Sequence, residues 1–303
     1  MKYYQIYKKN KYNFPLIFFT TLCLWLCLIL PAKSFSGDLD EIMKNKVIRH
    51  LGVPYANFIT GSGDGMDVEL IQGFAEHLGV RYQYVETSWG DVTGDLTGKK
   101  VKATGDDITI IGEVPVKGDL IANGFTVLEW RKKIVNYSNP TFPTQVWMIA
   151  TADSSLQPVI PGKTIEQDID SVKSRLSGLT VLGLANTCLD PKLYDIKGTG
   201  ATVKLFHAKL NEMAPAVINR EADATLLDVP DALIALDKWP GKVKVIGPVS
   251  GKQEMAVAFP KDAPELLKAF NAYLSEVKSN GIYVNLVKKY YPAVFDYYPE
   301  FFE

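Results

Sequence analysis

Apolar residues along the chain fall into short runs whose spacing alternates between two kinds. Val47, Ile48 and Leu51 form a brief run that predicts a strand. Val68, Ile71, Phe74, Ala75 and Leu78 recur every three to four residues, the signature of a helix face that Gly79 would stop. Strands are expected again from Arg81 to Val85, Ile108 to Ile111, Leu120 to Ala122 and Val146 to Ala150, and a helical turn is expected to close between Arg131 and Val135. The middle of the chain repeats the alternation. A helix is expected from Ile165 to Leu176, a buried strand from Leu179 to Leu184 and a helix from Asn211 to Arg220. Strands at Ala224 to Leu227 and Val243 to Ile246 flank a helix near Ala232 to Leu236. A strand from Met255 to Phe259 and a long helix from Pro264 to Ser279 follow; Asn280-Gly281 breaks that helix, and a last one is expected near Tyr283 to Tyr290. Such alternation predicts an α/β chain whose parallel sheets are covered by helices.

One apolar run stands apart. Lys2, Lys8, Lys9 and Lys11 precede 21 uncharged residues from Tyr12 to Ala32, with Pro31 near the end and small residues at Ala32, Ser34 and Ser36. This is the pattern of an export signal over residues 1–36, with a mature chain starting near 35 or 37. The run is also long enough to cross a bilayer, so an uncleaved anchor is the alternative. Lipoprotein processing is disfavoured, because Cys23 follows Leu22 and Cys27 follows Leu26, where a small residue is wanted.

Charge then narrows the partners. The chain has 33 basic and 34 acidic residues, which gives no surplus for nucleic acid. Without residues 1–36 the balance becomes 28 against 34, and Cys188 is the only cysteine. An exported chain with one cysteine has no internal disulfide and must be held by its cores; Cys188 reads as a packing residue. A length of 303 residues suits two lobes of about 100–150 residues each.

Most catalytic signatures are missing from the sequence. It contains no P-loop, GxGxxG, CxxC, HExxH or GxSxG, and only His50, His77 and His207 could offer imidazole. No metal or cofactor is therefore expected. Polar residues do stand at the ends of apolar runs. Arg131 offers a planar fork of donors that suits a carboxylate. Thr187 follows a buried strand and is expected to open a helix whose free N–H groups hold the same anion. Asp228 ends the run Ala224-Thr225-Leu226-Leu227, where an acid faces a ligand crevice in open α/β sheets, and it could neutralise an ammonium or cap the next helix. Tyr55 and Trp89 could supply aromatic walls, or simply belong to the core.

The same segments resemble periplasmic solute-binding protein family 3, the polar amino-acid receptors of ABC importers. Gly65-Met66-Asp67-Val68-Glu69-Leu70 is similar to the family's G-F-D-V-D-L helix start, and the stretch from Thr126 to Arg131 to its T-x-T-x-x-R turn. Asn136-Tyr137-Ser138-Asn139-Pro140 resembles D-F-S-D-P, Asn186-Thr187 stands where a G-T/S loop would be, and Asp228 where the second-lobe acid would be. Ala256 to Lys261 and Asn280 to Tyr283 resemble the closing strand and helix, so the likeness covers about residues 44–292. It implies a two-lobe, type II Venus-flytrap fold with hinge-linked, parallel-rich sheets. The lobes would be 44–141 with 256–303, and 146–249, hinged near 141–145 and 250–255. It further implies a periplasmic, monomeric, non-enzymatic receptor. Such a protein closes on an amino acid or similar small carboxylate and delivers it to a membrane permease. Arg131, Thr126, Asp228, Thr187, Asn186, Tyr55 and Trp89 would line the site.

Three positions depart from the family pattern. Leu128 replaces the second Thr or Ser, Asn186 replaces the Gly, and the first-lobe acid is missing before Pro54-Tyr55. The carboxylate half of an amino-acid site survives and the ammonium half is weakened, which points to an unusual amino acid or another small organic anion. Two alternatives share the fold: a dehydratase acting on cyclohexadienyl acids, with Glu129 as its acid, and a sensor module for a membrane receptor.

Overall fold

A computed structural model describes residues 37–207 and 209–302 of the chain. The expected export signal, its cleavage point and the anchor alternative lie outside the described residues. The first half runs α1 (Leu39–Asn45), β1 (Val47–Gly52), α2 (Met66–Leu78), β2 (Arg81–Glu86) and α3 (Val92–Thr97). It continues through β3 (Lys99–Thr104), β4 (Asp107–Glu113), β5 (Leu120–Ile121), α4 (Glu129–Lys132), β6 (Val135–Tyr137) and β7 (Phe142–Thr144). The second half comprises β8 (Val146–Thr151), α5 (Ile165–Lys173), β9 (Thr180–Gly183), β10 (Thr202–Leu205), α6 (Met213–Ile218), β11 (Ala224–Asp228), α7 (Val229–Lys238) and β12 (Val243–Pro248). The chain closes with β13 (Gln253–Met255), β14 (Ala258–Pro260), α8 (Pro264–Ser279), α9 (Ile282–Tyr290), α10 (Val294–Tyr297) and α11 (Pro299–Phe302).

These elements build two five-stranded sheets, one per lobe: β2-β1-β5-β14-β6 and β10-β9-β11-β8-β12. The segments passing between them, β7 and β13, pair antiparallel, with Phe142 opposite Met255 and Thr144 opposite Gln253. The apolar faces counted in the sequence point inward. Phe74 of α2 meets Phe270 of α8 edge-on at 5.2 Å, and both rings are fully buried. Burying one such ring is worth about 1.5–3 kcal/mol, which fixes these helices on the first sheet. In the second sheet Met148, Val181, Leu182 and Leu226 are fully buried. Arg49 of β1 is tied to Asp119 by an ion pair at 2.6 Å, which places the start of β5 beside β1.

The α/β class holds, and both sheets are mixed rather than wholly parallel. β1 is parallel to β2 and β5, and β9 to β10 and β11. The strands that follow each crossing, β8 and β14, run antiparallel to their neighbours. A strand arriving from the other lobe needs no helical crossover to set its direction. Several element bounds also shift. The helical turn ends at Lys132, and Val135 already belongs to β6. The helix expected to reach Leu176 ends at Lys173, and the one expected from Asn211 begins as a tight turn, Leu210–Glu212, before α6. The single strand expected from Met255 to Phe259 is two, because the chain leaves β7 at Met255 and joins the first sheet at Ala258.

Candidate functional site

The first half of the site hangs on the turn after β5. Gly124 has φ +63°, and a Cβ there would lie 2.5 Å from the Phe58 ring. Only glycine takes that conformation in that space at low cost. Its N–H donates to Asp67 Oδ2 at 2.7 Å. Asp67 lies in the first turn of α2, where the helix N-terminus favours a carboxylate. Burial nevertheless pushes its carboxyl up to about 7, against the Gly124 bond. The turn continues into Thr126, which is 1% exposed and bridges to Met255.

Arg131 projects from α4 and is 1% exposed. Its Nη1 donates to the Thr126 carbonyl at 2.8 Å, which also accepts from the Tyr137 hydroxyl at 3.2 Å. Its Nη2 reaches the Asn186 carbonyl at 3.3 Å, and its guanidinium carbon lies 3.9 Å over the Phe125 ring. Nε has no partner. Among the described residues no carboxylate forms an ion pair with this cation, and burial works against its charge.

The second half comes from the ends of β9 and β11. Asn186 takes φ +64°, the left-handed conformation that asparagine tolerates better than most residues, so it serves as the glycine it replaces would. Thr187 opens no helix. Its hydroxyl donates to the Leu184 carbonyl at 2.8 Å and accepts from the Leu189 N–H at 3.0 Å, closing a tight turn. The next helical turn is a short 3₁₀ segment, Pro191–Tyr194, capped by Asp190. The anion site expected at a helix N-terminus behind Thr187 is therefore not formed. Leu128, another of the three departures, sits at the N-cap of α4 with no side-chain capping bond and is buried in the core.

Asp228 ends β11 and caps α7, accepting from the Asp231 N–H at 3.4 Å. Its carboxylate also accepts from the Tyr55 hydroxyl, across from the first lobe. The Cys188 thiol lies 3.5 Å from its other oxygen. Burial pushes Asp228 up to about 6, while the Tyr55 and Cys188 donors pull it down. The Cys188 thiol is itself pushed up by burial, with Asp228 adding to the shift, which disfavours the thiolate. Trp89 is half-buried and packs edge-on against Tyr55 at 5.6 Å.

The structure thus brings Tyr55 and Trp89 to Asp228, and Arg131 and Thr126 to Asn186, with Cys188 between the two charges. Arg131 and Asp228 do not touch each other. Glu129 is exposed and pairs with Lys132 at 2.6 Å. Phe125, Tyr137 and Asp67 escaped the sequence reading. Asp67 was visible only as part of a helix start, and Phe125 as an apolar residue before Thr126. Asn123, fully buried on the same turn with neither side-chain polar atom paired, is a further addition.

The chain is similar in sequence and fold to known proteins. The chain is 25% identical to the L-cystine-binding protein TcyJ of Escherichia coli K12, over 87% of this chain and 90% of that one. It is 25% identical to a membrane-bound lytic murein transglycosylase F of Desulfosudis oleivorans over 77% of this chain, but spans only 46% of that enzyme's length. Among solved structures, a mutant of ArgBP from T. maritima superposes with a TM-score of 0.65 at 26% identity, covering 84% of this chain and 98% of that one. Residues 116–293, which include Arg131, Asn186 and Asp228 but not Tyr55 or Trp89, match the sequence model of one family, and the chain belongs to the bacterial extracellular solute-binding proteins, family 3.

Proposed function

We propose that this protein is a periplasmic receptor that captures a small carboxylate, an amino acid in the first instance, between its lobes and delivers it to the permease of an ABC importer. The observation that carries the reading is Arg131: a buried guanidinium with an unpaired Nε and, among the described residues, no carboxylate in an ion pair with it. A buried cation is costly unless paired, and a bidentate carboxylate supplies the pairing its fork is shaped for. Asp228, in the other lobe, would take an ammonium in place of the Tyr55 hydroxyl. The relatives named for cystine and arginine binding support an amino acid as ligand. The solvent-facing, Lys132-paired position of Glu129 favours binding over the dehydratase reading.

In this reading the lobes are 44–141 with 256–303, and 146–249, and the flexing segments are 141–145 and 250–255, which include β7 and β13. Residues 1–36 direct export. Native mass spectrometry of protein purified without refolding tests the proposal. A small carboxylate should accompany the wild type and be absent from Arg131→Ala. Protein that carries no such molecule, and shows no heat of binding with any amino acid, would contradict it.

A further inference from the structure

A cavity of about 560 Å³ opens between the lobes, beside the charged centre but not part of it. Its walls include Pro54 and Trp89 from the first lobe and Leu184, Phe206 and Leu210 from the second. Three parts of its lining adjoin residues of the centre. Pro54 precedes Tyr55, Leu184-Ala185 precede Asn186-Thr187, and Trp89 packs on the Tyr55 ring. Glu86, His207 and Lys209 stand among its lining with exposed side chains of mixed charge. Its size lies within the range of about 300–1,000 Å³ typical of small-molecule pockets.

We infer that this cavity holds the apolar substituent of the bound carboxylate, so that the ligand class is an aromatic or branched aliphatic amino or carboxylic acid. The inference rests on the proposed function above and names its ligand class. Walls of proline, tryptophan, leucine and phenylalanine reward burial of apolar surface and offer a cationic side chain no buried partner. Among the lining's charged side chains, Glu86 and Lys209 are both exposed and of opposite sign, so neither sign of head group gains a net partner there.

Titration calorimetry on the mature protein tests this with L-alanine, L-leucine, L-phenylalanine and L-arginine, and with acetate and 3-phenylpropanoate as the ammonium-free pair. L-phenylalanine and L-leucine should bind about tenfold or more tighter than L-alanine, the return for burying one large side chain. Phe206→Ala should cut that preference severalfold, and Phe206→Leu should restore most of it. If only plain acids bind, 3-phenylpropanoate against acetate must show the same preference. Equal or tighter binding of L-arginine overturns the inference, as does a preference unchanged in Phe206→Ala. If those results come with binding that Arg131→Ala abolishes, the carboxylate reading stands and only the apolar subsite falls. If no compound binds, both fall.

Discussion

The two charges of the site behave differently because their surroundings do. Arg131 lacks an anion, whereas Asp228 already has donors in Tyr55, Cys188 and the Asp231 N–H. Removing one partner of a desolvated charged pair costs about 2–5 kcal/mol, so Arg131→Ala should weaken carboxylate binding roughly 30- to several-thousand-fold by calorimetry. Arg131→Lys should recover part of this, because lysine keeps the charge and loses the fork. Asp228→Asn should be severe for an amino acid and mild for a plain carboxylic acid. With Asp228 titrating at about 6, amino-acid affinity should fall below that pH, by at most about tenfold per pH unit, while affinity for a plain acid should not follow it. Asp67 gives a stability signal of fixed sign. Its carboxyl titrates at about 7 in the folded chain, above its unfolded value of about 3.9. The folded state therefore holds the proton longer, and stability falls as pH rises between those two values. His50, lowered to about 4 by burial, acts in the opposite sense: its contribution is present above its unfolded pKa and lost as pH falls. Asp67→Asn removes the first slope only, so the melting temperature of the variant minus that of the wild type should be more positive at pH 8 than at pH 5.

At the level of elements, what the sequence revealed follows burial. Strands β1, β9 and β11 are buried on most of their residues and read as apolar runs, and α8 was bounded correctly by Pro264 and Asn280-Gly281. The hairpin arm β3 was not legible: Lys99, Lys100 and Lys102 leave no apolar run, because the strand is largely solvent-exposed. The charged ends Arg131 and Asp228 and the ring of Tyr55 could be read as site residues, since each is a polar or aromatic group at the end of an apolar stretch. Asp67 and Phe125 could not, because their roles come from contacts between segments distant in sequence or from stacking that spacing does not encode. Gly124 shows the dependence of the site on one element. Gly124→Ala meets a left-handed backbone costing about 1–2 kcal/mol, and its Cβ would press on Phe58 and Tyr55. It should lower the melting temperature and weaken ligand binding together, as seen by differential scanning fluorimetry with and without ligand.

For the molecule as a whole, the contacts that join the lobes near the site among the described residues include Tyr55 to Asp228, Arg131 to the Asn186 carbonyl and the Ala56 N–H to Asn211 at 3.0 Å. Each links a residue of the first sheet's lobe to one of the second. A ligand that replaces the Arg131–Asn186 contact with a carboxylate, and the Tyr55 contact with an ammonium, gains only when both lobes hold it. The most direct measurement is small-angle X-ray scattering of the mature protein and its Arg131→Ala variant, each with and without saturating ligand identified by mass spectrometry. The wild type should contract on binding, with a smaller radius of gyration, and the variant should not respond at the same concentration. A wild type whose radius is unchanged by bound ligand, or a variant that contracts equally, would contradict capture of a carboxylate by closure on Arg131.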